Sequence, residues 1–274
     1  MAINNILILG YGKMGQWFTT QLSKKYNIAV FEKNNLATYG NPEFHFLRNL
    51  QEIKNFNPDM VVNAVNLDAT ENAFNNILQY LPEETILADI TSIKEEMKQF
   101  YTNAGFRFVS THPMFGPTFA DMEKLKNENA IIIEESDEEG KYFFQNFYSS
   151  FGLNIHIINF HKHDEVMAES LSLPFLITLL FSANSENNKM PGTTYQKHKE
   201  IAEGLLSEDN NLMTEILLNN HFQKQVKNIE NTLRMYADAI QNRDAQILIS
   251  HIENIKMNRS VPVNRKHPIP AKYH

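Results

Sequence analysis

His112 closes an apolar run, Phe106 to Val109, and is followed by two prolines and a glycine in Ser110-Thr111-His112-Pro113-Met114-Phe115-Gly116-Pro117. That frame holds an imidazole on a stiff loop at a strand end. An imidazole titrates near neutrality, so it can take a proton from a hydroxyl while hydride leaves the same carbon. The plainer reading is a hydrogen-bonded core histidine. Ser92, in Asp89-Ile90-Thr91-Ser92-Ile93-Lys94-Glu95, stands at another strand end. In open α/β sheets ligands collect outside the carboxyl ends of strands. Ser92-x-x-Glu95 also reads as a capping box that needs no ligand, and Lys94 as a solvated charge. His163-Asp164 opens the first helix of the second half; His163 can face the cleft, and Asp164 suits a first helical turn. His161, His163 and Asp164 do not follow a metal-ligand spacing, and no metal is expected.

A proton acceptor becomes a dehydrogenase base only beside a hydride acceptor. Gly10-Tyr11-Gly12-Lys13-Met14-Gly15 is G-x-G-x-x-G, directly after the strand Ile6–Leu9 and opening a helix through Trp17 and Leu22. Gly10 permits the tight turn, Gly12 lets backbone approach a pyrophosphate, and Gly15 lets helix and strand pack closely. The helix start offers unpaired N–H groups to phosphates. Glu32 ends a second strand about 20 residues on, where a carboxylate accepts hydrogen bonds from a ribose diol. A carboxylate repels a 2′-phosphate, which favours NAD over NADP, although Lys33 beside it works the other way.

The elements that position these residues follow from patterning. Strand-like runs at Ile6–Leu9, Ile28–Phe31, Met60–Val65, Thr85–Asp89, Phe106–Ser110, Ala130–Glu134 and Ile155–Ile158 alternate with helical stretches at Gly15–Lys25, Ala69–Tyr80, Ser92–Ala104 and Asp137–Phe151. Continuous apolar strands separated by helices imply an α/β fold with a Rossmann-type, doubly wound, mostly parallel sheet. After about His161 the pattern is helical: His163–Ala183, Lys197–Ser207, Asn210–Asn219, Phe222–Gln241 and Asp244–Met257. The expected domains are 1–160 for the dinucleotide, 161–257 as a helical substrate and dimerisation domain, and 258–274 as an extended tail.

Composition narrows the partners. The chain has 274 residues, a formal net charge of −7 and no cysteine. An acidic balance argues against nucleic acid and anionic membranes. Without cysteine there are no disulfides or thiolate sites. Leu171–Phe181 is too short to span a bilayer, which needs about 20 residues, and reads as a buried helix. It is apolar around much of its circumference, so part of its cover is expected from a second subunit. A soluble, cytoplasmic homodimer is expected.

Taken in order, the glycine turn, Asp89-Ile90-Thr91-Ser92-Ile93-Lys94, Thr111-His112-Pro113-Met114-Phe115-Gly116-Pro117 and His163-Asp164 resemble the prephenate dehydrogenase family over nearly the whole chain. Pro191-Gly192-Thr193-Thr194 and Leu205-Leu206-Ser207-Glu208-Asp209 look like a bacterial, monofunctional branch, with no fused mutase domain expected. The resemblance implies oxidative decarboxylation of prephenate to 4-hydroxyphenylpyruvate in tyrosine biosynthesis. NAD⁺ would take the hydride, His112 the hydroxyl proton, and Ser92 would orient the pair. It also implies a Rossmann domain with a helical domain that dimerises. An arogenate (cyclohexadienyl) dehydrogenase is the near alternative; a β-hydroxyacid dehydrogenase or a non-enzymatic dinucleotide sensor stand further off.

Two positions depart from the family pattern. Phe175 stands after Leu173-Pro174 where members often carry a second histidine, and Tyr195 to Leu206 holds no arginine. His163, Lys197 and Lys199 are then the candidates for binding substrate carboxylates, with Arg234 as a more distant substitute. Lysine supplies charge without the bidentate fork of arginine.

Overall fold

The structure is a computed structural model that describes residues 3–33, 44–185 and 190–258. Eight strands form one sheet: β1 (Asn5–Leu9), β2 (Asn27–Phe31), β3 (His45–Leu47), β4 (Met60–Asn63), β5 (Ile86–Asp89), β6 (Arg107–Pro113), β7 (Asn129–Ile133) and β8 (Asn154–Ile158). Their order is β3-β2-β1-β4-β5-β6-β7-β8. Every pairing is parallel except β6 with β7. The order reverses between β1 and β4, the crevice where such sheets take ligands.

Alternation along the strands sorts side chains to two buried faces. Ile6, Ile8, Met60, Val62, Ile86 and Ala88 join one core cluster, and Leu7, Leu9, Val61 and Leu87 the other. Each of the Ile, Leu, Val and Met side chains contributes about 1.5–3 kcal/mol when fully buried. Both faces are covered, which is why these strands read as unbroken apolar runs rather than alternating ones.

The helices beside the sheet are α1 (Lys13–Leu22), α2 (Leu50–Phe56), α3 (Thr70–Asn75), α4 (Glu95–Ala104) and α5 (Glu138–Ser149). The short β3 and α2 lie in a stretch too polar to signal either. The helix expected over Ala69–Tyr80 breaks into α3 flanked by 3₁₀ turns at Leu67–Ala69 and Leu78–Tyr80. After β8 the chain is helical: α6 (Phe160–Met167), α7 (Leu173–Asn184), α8 (Thr193–Leu206), α9 (Asn210–Leu217), α10 (Gln223–Gln241) and α11 (Ala245–Asn258). A π turn, Ala168–Ser172, joins α6 to α7. Pro174 lacks an N–H for the ladder, and the widened turn just before it absorbs that gap.

Contacts divide the chain into two compact units, Met1–Gln223 and Lys224–His274. This division falls well after 160, because α6 packs against α4 and β7 within the first unit. In the second unit, α10 and α11 are linked by the Tyr236 hydroxyl and His251 Nδ1, 2.8 Å apart. The tail expected from 258 lies, beyond Asn258, outside the described residues.

Leu171–Phe181 does not form a buried helix. No residue of α7 is buried, and Ile177 and Leu180 are 47% and 37% exposed. The continuous helical run Phe160–Asn184 is 25 residues, long and apolar enough by length and composition to cross a membrane. The apolar stretch Leu171–Phe181 is only part of the helical pattern from His163 to Ala183, and the added length of α6 brings the run to 25 residues.

Candidate active site

The turn after β1 has the geometry its glycines require. Gly10 has φ +85°, a region L side chains rarely adopt, and a Cβ there would press on Val65 and the Ala64 carbonyl. A Cβ on Gly15 would run into the Gly10 carbonyl oxygen, so α1 can pack this closely only through glycine. Gly12 instead has nothing within 4 Å of where a Cβ would stand. It caps α1 with no side-chain hydrogen bond, and the first turn has no acidic residue. Open space above unpaired N–H groups at a helix start fits a pyrophosphate.

Glu32, just past β2, accepts a hydrogen bond from the Tyr11 N–H at 2.8 Å. The carboxylate therefore stands beside the glycine turn, and the Tyr11 ring packs on Phe44 and Phe46. Met14 packs against the core. Lys13 extends the other way: its Nζ donates to Thr118 Oγ1 at 3.2 Å, and Thr118 donates to Glu208. The start of α1 is thus tied to the segment after β6 and to the end of α8, a linkage that no local pattern signals.

His112 lies inside β6, not on a loop beyond it, and pairs in register with Ile131 of β7. The proline frame follows the strand: Met114 N–H donates to the Asn129 carbonyl, and Phe115 seats edge-on against Trp17 of α1. His112 is 6% exposed. Its Nδ1 lies 3.1 Å from His163 Nε2, and His163 Nδ1 lies 2.6 Å from Asp164 Oδ1. Burial, then the neighbouring His163 and Lys94, push the His112 pKa well below the usual histidine range. Burial also lowers that of His163, with Asp164 offsetting only part. Both rings are neutral near pH 7.

Asp164 differs from the expected first-turn acid on its own helix, where Asn159 is the cap. It reaches across to α4 and accepts the Lys94 backbone N–H at 2.9 Å. The capping box expected from Ser92 and Glu95 does not form: α4 starts at Glu95, and Lys94 is the cap residue without a side-chain cap. Glu95 instead accepts from Asn220 Nδ2 at 2.6 Å. Ser92 is left half-buried, three residues beyond the Asp89–Ser110 register pair that joins β5 to β6. Among the described residues its hydroxyl has no hydrogen-bond partner, so it is available to a ligand.

Lys94 is not solvated either. Its side chain is fully buried, pairs with Asp89 and donates to the Thr111 carbonyl at 2.7 Å. Asp89 also accepts from the Tyr101 hydroxyl at 2.8 Å and from Thr91 Oγ1 at 2.6 Å. Burial alone would raise the Asp89 carboxyl; Lys94 and Thr91 hold it below its ordinary value. This ion pair ties the end of β5 to the strand residue preceding His112. An acid at a strand end and a lysine five positions on were visible in the sequence, but not their burial.

Lys197 and Lys199 are exposed on α8, and Lys199 pairs with Glu203 at 3.5 Å. No described contact joins either to His112, Ser92 or His163. α8 itself backs the segment after β6, since a Cβ on Gly204 would strike the Phe119 ring. Lys197, seven residues before Gly204, shares that face two turns away. Arg234 pairs with Glu230 at 2.6 Å in the second unit. Phe175 is half-buried in α7. His161, rather than grouping with His163 and Asp164, gathers with Glu165 and His221, their ligand atoms within 4.8 Å of one another.

The sheet order, the glycine turn at its switch point and the helical C-terminal region define a Rossmann-type nucleotide-binding protein. Residues 32–146 match the family model described as prephenate dehydrogenase, nucleotide-binding domain. That region is similar to the family whose motifs the sequence resembles. The chain is 24% identical to a probable arogenate/prephenate dehydrogenase of Methanocaldococcus jannaschii over 88% of its length and 57% of the relative's. It is 23% identical to the T-protein of Haemophilus influenzae over 92% of its length and 66% of that protein's. The chain thus spans less than two thirds of these curated relatives. In structure it is similar to prephenate dehydrogenase from A. aeolicus, solved with hydroxyphenyl propionate and NAD+, with TM-score 0.76 and 18% identity over 94% of this chain and 98% of that one.

Proposed function

We propose that this protein is an NAD-dependent prephenate dehydrogenase, oxidising and decarboxylating prephenate to 4-hydroxyphenylpyruvate in tyrosine biosynthesis. The observation that carries the reading is His112, a neutral, buried imidazole at the carboxyl end of the sheet whose first βα turn is open to a pyrophosphate. The prephenate dehydrogenase complex with NAD+ supports the cofactor by analogy. Gly10, Tyr11, Gly12, Lys13, Met14 and Gly15 would hold the pyrophosphate, and Glu32 the ribose. NAD⁺, when bound, supplies the acceptor for the hydride of the alcohol carbon.

His112 takes the proton of the ring hydroxyl, and Ser92 holds that hydroxyl toward it. The O–H pair closes the ketone, the carboxylate C–C bond then breaks into the ring, and CO₂ leaves as the ring aromatises. His163 fixes His112, while Lys197 and Lys199 offer positive charge to a substrate carboxylate. One relative is a probable arogenate/prephenate dehydrogenase, so the same chemistry on an amino side chain is the second reading.

The deciding assay mixes purified protein with NAD⁺ and either prephenate or arogenate and follows NADH. Prephenate-dependent NADH is expected. Turnover of arogenate alone would move the assignment to the second reading, and neither, in a protein shown to bind NAD⁺, would overturn both.

Glu32→Ser is expected to raise the KM for NAD⁺ by roughly ten- to a hundredfold, because a ribose hydrogen bond to a charged group is worth about 1.5–3 kcal/mol. It should also narrow the preference over NADP⁺. An unchanged NAD⁺/NADP⁺ ratio would remove Glu32 from the ribose site.

We further propose a cytoplasmic homodimer, with a second copy covering the exposed apolar face of α7. Sedimentation of detergent-free protein should give a dimer, and Ile177→Glu a monomer. A monomeric wild type, or a protein extracted only with detergent, contradicts this.

A further inference from the structure

An imidazole has two nitrogens, and only an unprotonated one can act as a base. Which nitrogen of His112 is free depends on what its other nitrogen meets. The chain of contacts settles this from its far end. Asp164 receives the Lys94 backbone N–H on both carboxylate oxygens, at 2.9 and 3.2 Å. Those oxygens are acceptors, so the proton in the 2.6 Å contact between Asp164 and His163 sits on His163 Nδ1. A neutral ring protonated at Nδ1 is bare at Nε2. His163 Nε2 therefore accepts, and across the 3.1 Å contact His112 donates through Nδ1–H. The lone pair of His112 is left on Nε2.

Each link is held by something other than the histidines. Lys94 N belongs to the cap of α4, so Asp164 satisfies a helix terminus while orienting His163. Asn219 Nδ2 donates to the Asp164 backbone carbonyl at 2.9 Å and holds that residue in place. His163 and Asp164 are buried with His112, so water does not compete for these contacts. The charged groups facing the pair are Lys94 and Asp89 from the β5–α4 segment and Asp164 from α6.

We propose that His163 and Asp164 are positioning residues that fix His112 as the Nδ1–H tautomer and so make Nε2 its proton-accepting atom. The assignment deepens the dehydrogenase reading and rests on it for the purpose Nε2 serves. In the step, the hydroxyl O–H bond breaks and its proton bonds to Nε2. The positive charge created on His112 is shared through Nδ1–H with His163 and balanced by the Asp164 carboxylate. No proton need leave the site before the product does.

Asp164→Leu tests the relay. It removes the acceptor of His163 Nδ1–H, the carboxylate oxygen Oδ1 that also accepts the Lys94 N–H. His163 then takes the Nε2–H form that a free imidazole prefers, and His112 accepts at Nδ1 and carries its own proton on Nε2. Long-range ¹H–¹⁵N correlation spectra of the imidazoles, with His112 assigned by its loss in His112→Asn, report the tautomer without substrate. The wild type is expected to show Nδ1–H at His112, and Asp164→Leu to show Nε2–H. The variant's kcat should fall about 10²–10⁴-fold with KM for substrate and NAD⁺ within about twofold, the size of a general-base contribution.

A wild-type His112 protonated at Nε2 overturns the relay whatever the variant does, including its failure to fold. So does an Asp164→Leu protein whose His112 tautomer is unchanged. If the tautomers are as expected and neither substrate is turned over, the relay stands and the dehydrogenase reading is what fails.

Discussion

His112→Asn is expected to lower kcat by about 10²–10⁴-fold while leaving the affinity for NAD⁺ close to wild type. The asparagine amide can still donate to His163 Nε2, as His112 Nδ1 does from 3.1 Å, so the neighbouring contacts survive. What disappears is the basic nitrogen. Steady-state turnover together with a cofactor titration separates the two effects, and near-normal turnover would remove His112 from the catalytic role.

The wild-type pH profile carries a second signature. Burial, His163 and Lys94 hold the His112 pKa well below the ordinary histidine range. As the proposed base, His112 is then deprotonated throughout the neutral range, and the acid limb of kcat/KM is expected below that range. Stability moves the same way. With folded pKa values lowered at both His112 and His163, the unfolded chain binds more protons as pH drops through the ordinary histidine range. Stability is thus fully present above that range and is lost on acidification toward the folded values.

The largest expected loss of stability is at Lys94. Lys94→Met leaves the Asp89 carboxylate at 0% exposure with only Tyr101 and Thr91 as hydrogen-bond donors from side chains. Removing one partner of a buried pair costs about 3–5 kcal/mol. Urea denaturation should show that loss, and adding Asp89→Asn should restore a large part by removing the stranded charge. A single-variant cost under about 1 kcal/mol would mean that the pair contributes little. Because Lys94 also donates to the Thr111 carbonyl, loosening it is expected to disturb His112, the next residue.

The sequence alone determined the sheet and its nucleotide turn, since both rest on local rules. Unbroken apolar runs of strand length bounded by turns survive into β1, β2, β4, β5, β7 and β8 within a residue or two. The turn glycines act through backbone space at their own positions, so their spacing was sufficient to read. His112 and Ser92 stand out in the sequence as candidates because a strand end implies a ligand-facing place; His112 sits within β6 itself.

Only the tertiary structure decided which groups meet. Lys94 looks solvated in sequence because its spacing from Asp89, five residues earlier, does not show that packing buries both side chains together at the end of β5. Asp164 looks like an acid of its own helix but caps another, 70 residues away in the chain. The contact between His112 and His163 spans 51 residues. Tautomers, buried charges and helix caps depend on partners brought by packing, and residue spacing along the chain does not encode them.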